Sequence, residues 1–170
     1  CSSPAHGLFG TWRGRPLGTL GALATLSFHE TKNVTCGEGG ALVLNDPSLV
    51  ARAEIIREKG TNRSQFIRGE VNRYAWMDIG SSYLLSDVLA GLLAAQLEEA
   101  PTIQSARERT WKAYAAALGD WANDHGVELP FVPDGCGPAW HSFHLLLPRR
   151  EARDRLIDHL RTRGIGAPFH

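Results

Sequence analysis

Ala22-Leu23-Ala24-Thr25-Leu26-Ser27-Phe28-His29-Glu30-Thr31-Lys32-Asn33, followed by Val34-Thr35-Cys36-Gly37-Glu38-Gly39-Gly40-Ala41-Leu42-Val43-Leu44-Asn45, is the stretch on which the reading of this chain turns. Ala22 to Phe28 is a continuous apolar, β-tolerant run of strand length, which predicts a strand buried on both faces. A glycine-rich loop separates it from a second strand over Ala41 to Asn45. Asp46-Pro47 then marks a helix start, with the aspartate as N-cap and the proline at the first helical position. Leu49, Val50, Ala53 and Ile56 give that helix an apolar face, and Gly60 stops it. Strand, loop, strand and helix in this order predict an α/β fold.

The end of the first strand delivers Ser27 and Lys32 to the loop. An amine just after a buried strand, with a hydroxyl five residues upstream, suits a covalently held aldehyde cofactor that carries a phosphate. Lysine occurs only as Lys32, Lys59 and Lys112, whereas arginine carries the rest of the positive charge. Lysine differs from arginine in having an amine whose pKa can fall when it is buried. The competing reading, a solvated surface lysine, stays open on spacing alone.

Further along, residues 1–20 read as loop punctuated by Gly7, Gly10, Gly14 and Gly18, with Arg13 and Arg15 on a turn. Residues 60–83 form a long aromatic-rich segment, predicted to be an ordered functional loop. Leu85, Val88, Leu89, Leu92 and Leu93 recur at helical spacing over 84–97, as expected of a core or subunit-interface stripe. Pro101 opens a second helix that carries Trp111, Tyr114 and Leu118. After a proline- and glycine-rich break at 126–138, Phe143 to Leu147 reads as a strand and Glu151 to Arg163 as a helix stopped by Gly164. The domain change is placed near the long helices, giving residues 1–108 and 109–170.

Composition narrows the function classes. Hydrophobic residues make up 43% and charged residues 21% of 170 residues, the balance of a globular chain. Lysine plus arginine and aspartate plus glutamate are both 18, so no net field favours nucleic acid or an anionic membrane as partner. There is no apolar run of spanning length and no secretory-type start, so a cytoplasmic location is expected. Cys1, Cys36 and Cys136 form neither a disulfide framework nor a zinc knuckle. His141-x-x-His144, if on a strand, would point its rings to opposite faces, so no metal site is expected. The chain starts without methionine and is read as a piece of a longer protein.

Ser27 to Asn33 with Gly37-Glu38-Gly39-Gly40, Arg57-Glu58-Lys59-Gly60-Thr61-Asn62-Arg63-Ser64-Gln65-Phe66 and Asp78-Ile79-Gly80-Ser81-Ser82-Tyr83 together resemble one family. It is the DegT/DnrJ/EryC1/StrS nucleotide-sugar aminotransferases, and the likeness runs from about Ala5 to His170. Within it, the chain is most similar to members that make dTDP-4-amino-4,6-dideoxygalactose for enterobacterial common antigen. The resemblance implies a fragment of the aspartate-aminotransferase-like large domain (the type I pyridoxal-phosphate fold) plus the start of a small α+β domain. It implies pyridoxal 5'-phosphate as cofactor, with Lys32 forming the Schiff base, Ser27 holding the phosphate and His6 lying against the ring. It further implies glutamate as amino donor, a dTDP-4-keto-6-deoxyhexose as acceptor, and a homodimer with shared sites. Asn62 and Arg63 are candidate substrate donors, and His29 is a candidate neighbour of the cofactor. Ser3 stands where the family places the aspartate that pairs with the pyridine nitrogen. That departure supports an alternative, a relative that binds cofactor or partner without turnover. A third possibility, an unrelated anion-binding loop over Gly37 to Gly40, lacks the phosphate-loop spacings.

Overall fold

The computed structural model describes residues 6–169, so Ser3 lies outside the described residues. The described chain is mixed α/β and divides into two compact units. The first runs to Gln104 and takes in Asp134–His141, and the second comprises Ser105–Pro133 and the chain from Ser142 on.

In the first unit, β1 (Thr11–Trp12) and β2 (Arg15–Pro16) form a small hairpin, and β1 also pairs antiparallel with β5 (Cys136–Gly137). The hairpin is a departure from the loop expected over 1–20, and it follows from turn chemistry. Arg13 (φ 49°) and Gly14 (φ 75°) both take positive φ, as a two-residue turn that matches strand twist requires. The Arg13 guanidinium covers the Trp12 ring at 4.6 Å, so this arginine is not simply solvated.

The central element is β3 (Leu23–Ser27), paired antiparallel with β4 (Gly40–Leu44) from Leu23 opposite Leu44 to Ser27 opposite Gly40. Only Ala24 of β3 is fully buried, which corrects the expectation of a strand covered on both faces. Ala24 is buried and Leu26, on the same face, packs against the Phe28, Val34 and Cys36 cluster, whereas Thr25 on the opposite face is exposed. After β4, Asp46 Oδ1 accepts from the backbone N–H of Ser48 at 2.9 Å and from its hydroxyl at 2.7 Å. These bonds cap a single 3-10 turn, Pro47–Leu49, that leads into α1 (Val50–Arg57), as the Asp-Pro signal predicts.

The segment from 60 to 83 is ordered and mostly irregular, with one short helix, α2 (Arg63–Ile67). Its two ends cross where Gly60 meets Gly80: a methyl on Gly60 would collide with the Asp78 carbonyl, and one on Gly80 with the backbone of Gly60 and Ile56. Gly60 also has φ 74°, so no other residue suits it.

Ser86 caps α3 (Asp87–Glu98) by accepting from Leu89 N–H, and α4 (Ala100–His125) follows after one residue. The leucine stripe over 84–97, which begins just before α3, splits. Leu85, Leu89 and Leu93, spaced i, i+4, lie against the buried cluster Phe28, Val34 and Cys36, whereas Val88 and Leu92 are exposed.

In the second unit, the body of α4 and α5 (Arg150–Arg161) are the regular elements. Phe143 to Leu147 is not a strand: a single bridge joins Glu128 and Leu146 through reciprocal bonds of 3.0 and 2.9 Å. The aromatic ring of Phe143 instead sits edge-on to Trp111 at 5.3 Å and stacked with Tyr114 at 5.5 Å. The run is apolar because it packs on α4, not because it belongs to a sheet. His141 and His144 therefore do not alternate across a strand as expected.

Candidate functional site

The loop between β3 and β4 is gathered at its neck by backbone bonds. Phe28 N–H donates to Gly39 O at 2.8 Å, Glu30 N–H to Gly37 O at 2.8 Å, and Cys36 N–H to Phe28 O at 3.0 Å. Beneath it, Phe28, Val34 and Cys36 are buried on Leu85, Leu89 and Leu93. Gly39 has no side chain because any would run into Cys36 Sγ. Lys32 thus stands on a turn, closed by its N–H donating to His29 O at 2.9 Å, above an anchored floor.

Lys32 itself is half-buried, and among the described residues no carboxylate or carbonyl engages its Nζ. Ser27, at the end of β3, accepts a long bond from His29 N–H at 3.5 Å, and its hydroxyl proton has no acceptor among the described residues. A half-buried amine without a counter-ion and a hydroxyl with a proton to donate are the two groups that an aldehyde bearing a phosphate needs. The residues present therefore fit pyridoxal 5'-phosphate.

Next to Lys32, Asn33 is 6% exposed and fully bonded. Its Nδ2 donates to Ala139 O at 2.5 Å and to Gln104 Oε1 at 3.3 Å, while its Oδ1 meets His141 Nδ1 at 2.6 Å. The imidazole of His141 stacks on that of His6, with centroids 4.4 Å apart and planes 18° from parallel. His6 is thereby brought to the Lys32 loop through two intermediaries. Nothing in the local sequence pairs Asn33 with His141, since a contact spanning 108 positions has no local signal.

His29 bonds within its own loop, with Nδ1 3.0 Å from the Thr31 hydroxyl and Nε2 3.5 Å from Glu38 Oε1. Asn62 and Arg63 belong to a different cluster. The Asn62 amide donates to Arg73 O at 2.9 Å and accepts from Ala75 N–H at 2.8 Å, which clips the two limbs of the 60–83 segment together. Arg63 lies 3.3 Å from Glu58, whose buried carboxylate also accepts from the Ser64 hydroxyl at 2.7 Å. That hydrogen bond, and then the charges of Arg63 and Arg57, hold Glu58 below the usual carboxylate range despite its burial. No hydrogen bond or ion pair among the described residues links Asn62 or Arg63 to the Lys32 loop. Nor do the described residues gather three His, Cys, Asp or Glu side chains into a group that could hold a metal ion. No helix among them is long and apolar enough to cross a membrane.

Known proteins match this chain over nearly its full length. An uncharacterised protein of Methanocaldococcus jannaschii is 28% identical, with 98% of this chain and 44% of the relative covered. The structure of S. venezuelae DesV, in complex with a ketimine intermediate, is 30% identical, with a TM-score of 0.79 over 95% of this chain and 40% of that one. A putative sugar aminotransferase from Streptococcus pneumoniae, Spr1654 in its PMP form, has a TM-score of 0.83 at 22% identity, over 98% and 41%. The chain thus spans less than half the length of these proteins, and its fold is that of part of a sugar aminotransferase. The profile of the DegT/DnrJ/EryC1/StrS aminotransferase family matches residues 2–170, and the chain belongs to that family.

Proposed function

We propose that the protein to which this chain belongs is a pyridoxal-phosphate-dependent sugar aminotransferase. It would transfer the amino group of glutamate to C4 of a dTDP-4-keto-6-deoxyhexose, giving a dTDP-4-amino-4,6-dideoxyhexose and 2-oxoglutarate. The observation that carries the reading is the half-buried Lys32 amine, without a counter-ion among the described residues, on the loop that begins at Ser27. When bound, pyridoxal phosphate supplies an electron sink for the pair left at the amino-acid Cα.

The chain's own residues have separate tasks. Lys32 Nζ holds the cofactor carbon covalently and, once displaced by the amino donor, carries the proton taken from Cα. The Ser27 hydroxyl donates to a phosphate oxygen, a charge-assisted bond that orients the group. The His6 imidazole would lie against the cofactor ring, and His29 belongs to the same loop as Lys32. Asn62 and Arg63 are proposed as donors toward the nucleotide sugar of a partner subunit, in a homodimer. Exposed Trp76, Ile79 and Tyr83 in the same segment support a covered surface there.

Absorbance tests this directly. The full-length protein with pyridoxal phosphate is expected to show the visible band of a lysine-bound cofactor, and Lys32→Ala to abolish it. Loss of that band on adding glutamate marks the first half-reaction. A band that glutamate leaves unchanged would instead favour the binding-only relative suggested by Ser3, and Ser3→Asp is then expected to restore the response.

A further inference from the structure

Lys32 is held on one side by the neck of its own loop, and on the other by residues more than a hundred positions away. Asn33 is the link. Its Nδ2 faces two oxygens, Ala139 O and Gln104 Oε1, and Gln104 Nε2 in turn donates to Ala139 O at 3.2 Å. Two acceptors on one side fix the amide's orientation, so the atom turned to His141 is the oxygen. His141 Nδ1 must then carry the hydrogen of that 2.6 Å bond, which fixes the tilt of its ring. On that ring lies His6.

Trp140, between the two residues that grip Asn33, has φ 52°. Left-handed backbone is uncommon for a bulky side chain, and such outliers persist where surrounding bonds over-determine them. Here the bend brings the carbonyl of residue 139 and the ring of residue 141 onto one buried amide.

We propose that Asn33, Ala139 and His141 form a clasp that positions the Lys32 amine, with His141 serving as a positioning residue for both Lys32 and His6. The proposal rests on the cofactor reading for its purpose, but the clasp makes claims of its own. It predicts that Lys32 and His6, two of the groups assigned to the cofactor, cannot be displaced independently. It also assigns the 134–141 segment to the site, although that segment follows the long helix α4 in sequence.

The test uses the full-length protein without cofactor and then with it. Reductive methylation by formaldehyde, followed by mass spectrometry, reads the reactivity of Lys32 against the exposed Lys59 and Lys112. Asn33→Ala and His141→Phe, the second of which keeps a stackable ring, are expected to raise Lys32 labelling at least threefold and leave the other two lysines unchanged. Because Lys59 and Lys112 are already exposed, general loosening of the fold is read separately, as a lowered thermal midpoint and a rise in labelling that His141→Gln does not reverse. His141→Gln, which keeps a side-chain N–H donor, should return labelling towards wild type. With pyridoxal phosphate, the first two variants should attach the cofactor at least tenfold more slowly. Unchanged Lys32 labelling in both, or a rise that His141→Gln does not reverse, would overturn the clasp even if the wild-type protein binds cofactor. A selective rise at Lys32 in a protein that never attaches pyridoxal phosphate would keep the clasp and overturn the cofactor reading.

Discussion

At the scale of single residues, Glu58 is where charge and stability are most closely tied. Its carboxylate is buried and held ionised by the Ser64 hydroxyl first, and by Arg63 and Arg57 after it. Because its folded pKa lies below the ordinary 4.5, its contribution is fully present above that pH and is lost as pH falls through the lowered value. Ser64→Ala is expected to cost about 1.5–3 kcal/mol at pH 7, the worth of a hydrogen bond to a charged group, and less at pH 3, below the unfolded pKa. Urea melts of the full-length protein at the two pH values measure the difference. The placement of Ser27 at a strand end and of Lys32 on the loop that follows is legible in the sequence because it is local, whereas the roles proposed for them come from the family resemblance. The link from Asn33 to His141 is not legible, since an Asn after a Lys carries no mark of a partner 106 or 108 positions away. Asn62 shows the opposite effect. Its amide is a plausible ligand donor in the sequence, but in the fold both ends of the amide hold residues 73 and 75.

At the scale of elements, stop and start signals were the most legible features, because capping is chemistry between neighbours. Asp46-Pro47 begins a helical turn, Pro101 sits in the first turn of α4, and Gly164 (φ 73°) follows α5. The β1–β2 hairpin carries no strong sequence signal because its turn is Arg-Gly rather than Asn-Gly, and Phe143 to Leu147 looks like a strand because aromatic packing on a helix leaves the same apolar run as a strand. The 60–83 segment was recognisable as ordered, but not its device, the crossing of Gly60 over Gly80. Gly60→Ala combines a clash with the Asp78 carbonyl and a left-handed backbone. It is expected to destabilise the full-length protein by at least about 2 kcal/mol, where a surface Gly→Ala change is normally mild. Thermal melting should register the loss without any change in the visible band of the lysine-bound cofactor in the protein that remains folded.

At the scale of the whole molecule, the buried apolar residues described are few, and many large ones face outward, with Ile79 89% and Val88 82% exposed. The relatives are more than twice as long. The 170 residues expressed alone are therefore expected to bind 1-anilinonaphthalene-8-sulfonate, to form heterogeneous aggregates and to melt broadly in urea, whereas the full-length protein should sediment as one discrete dimer, leave the dye unbound and melt sharply. Sedimentation and dye fluorescence of both chains make the comparison. The arrangement around Lys32 also carries a sense of order in time. The β3–β4 hairpin and its neck join residues close in sequence, and such contacts close early, while the bonds from Asn33 to Ala139 and His141 must wait for a loop of over a hundred residues. A chain emerging from the ribosome would thus present the lysine on a formed hairpin well before residue 141 exists, and would secure it only after α4 had been made. The amine would spend that interval as an ordinary exposed lysine, gaining its final setting in the last steps of assembly rather than the first.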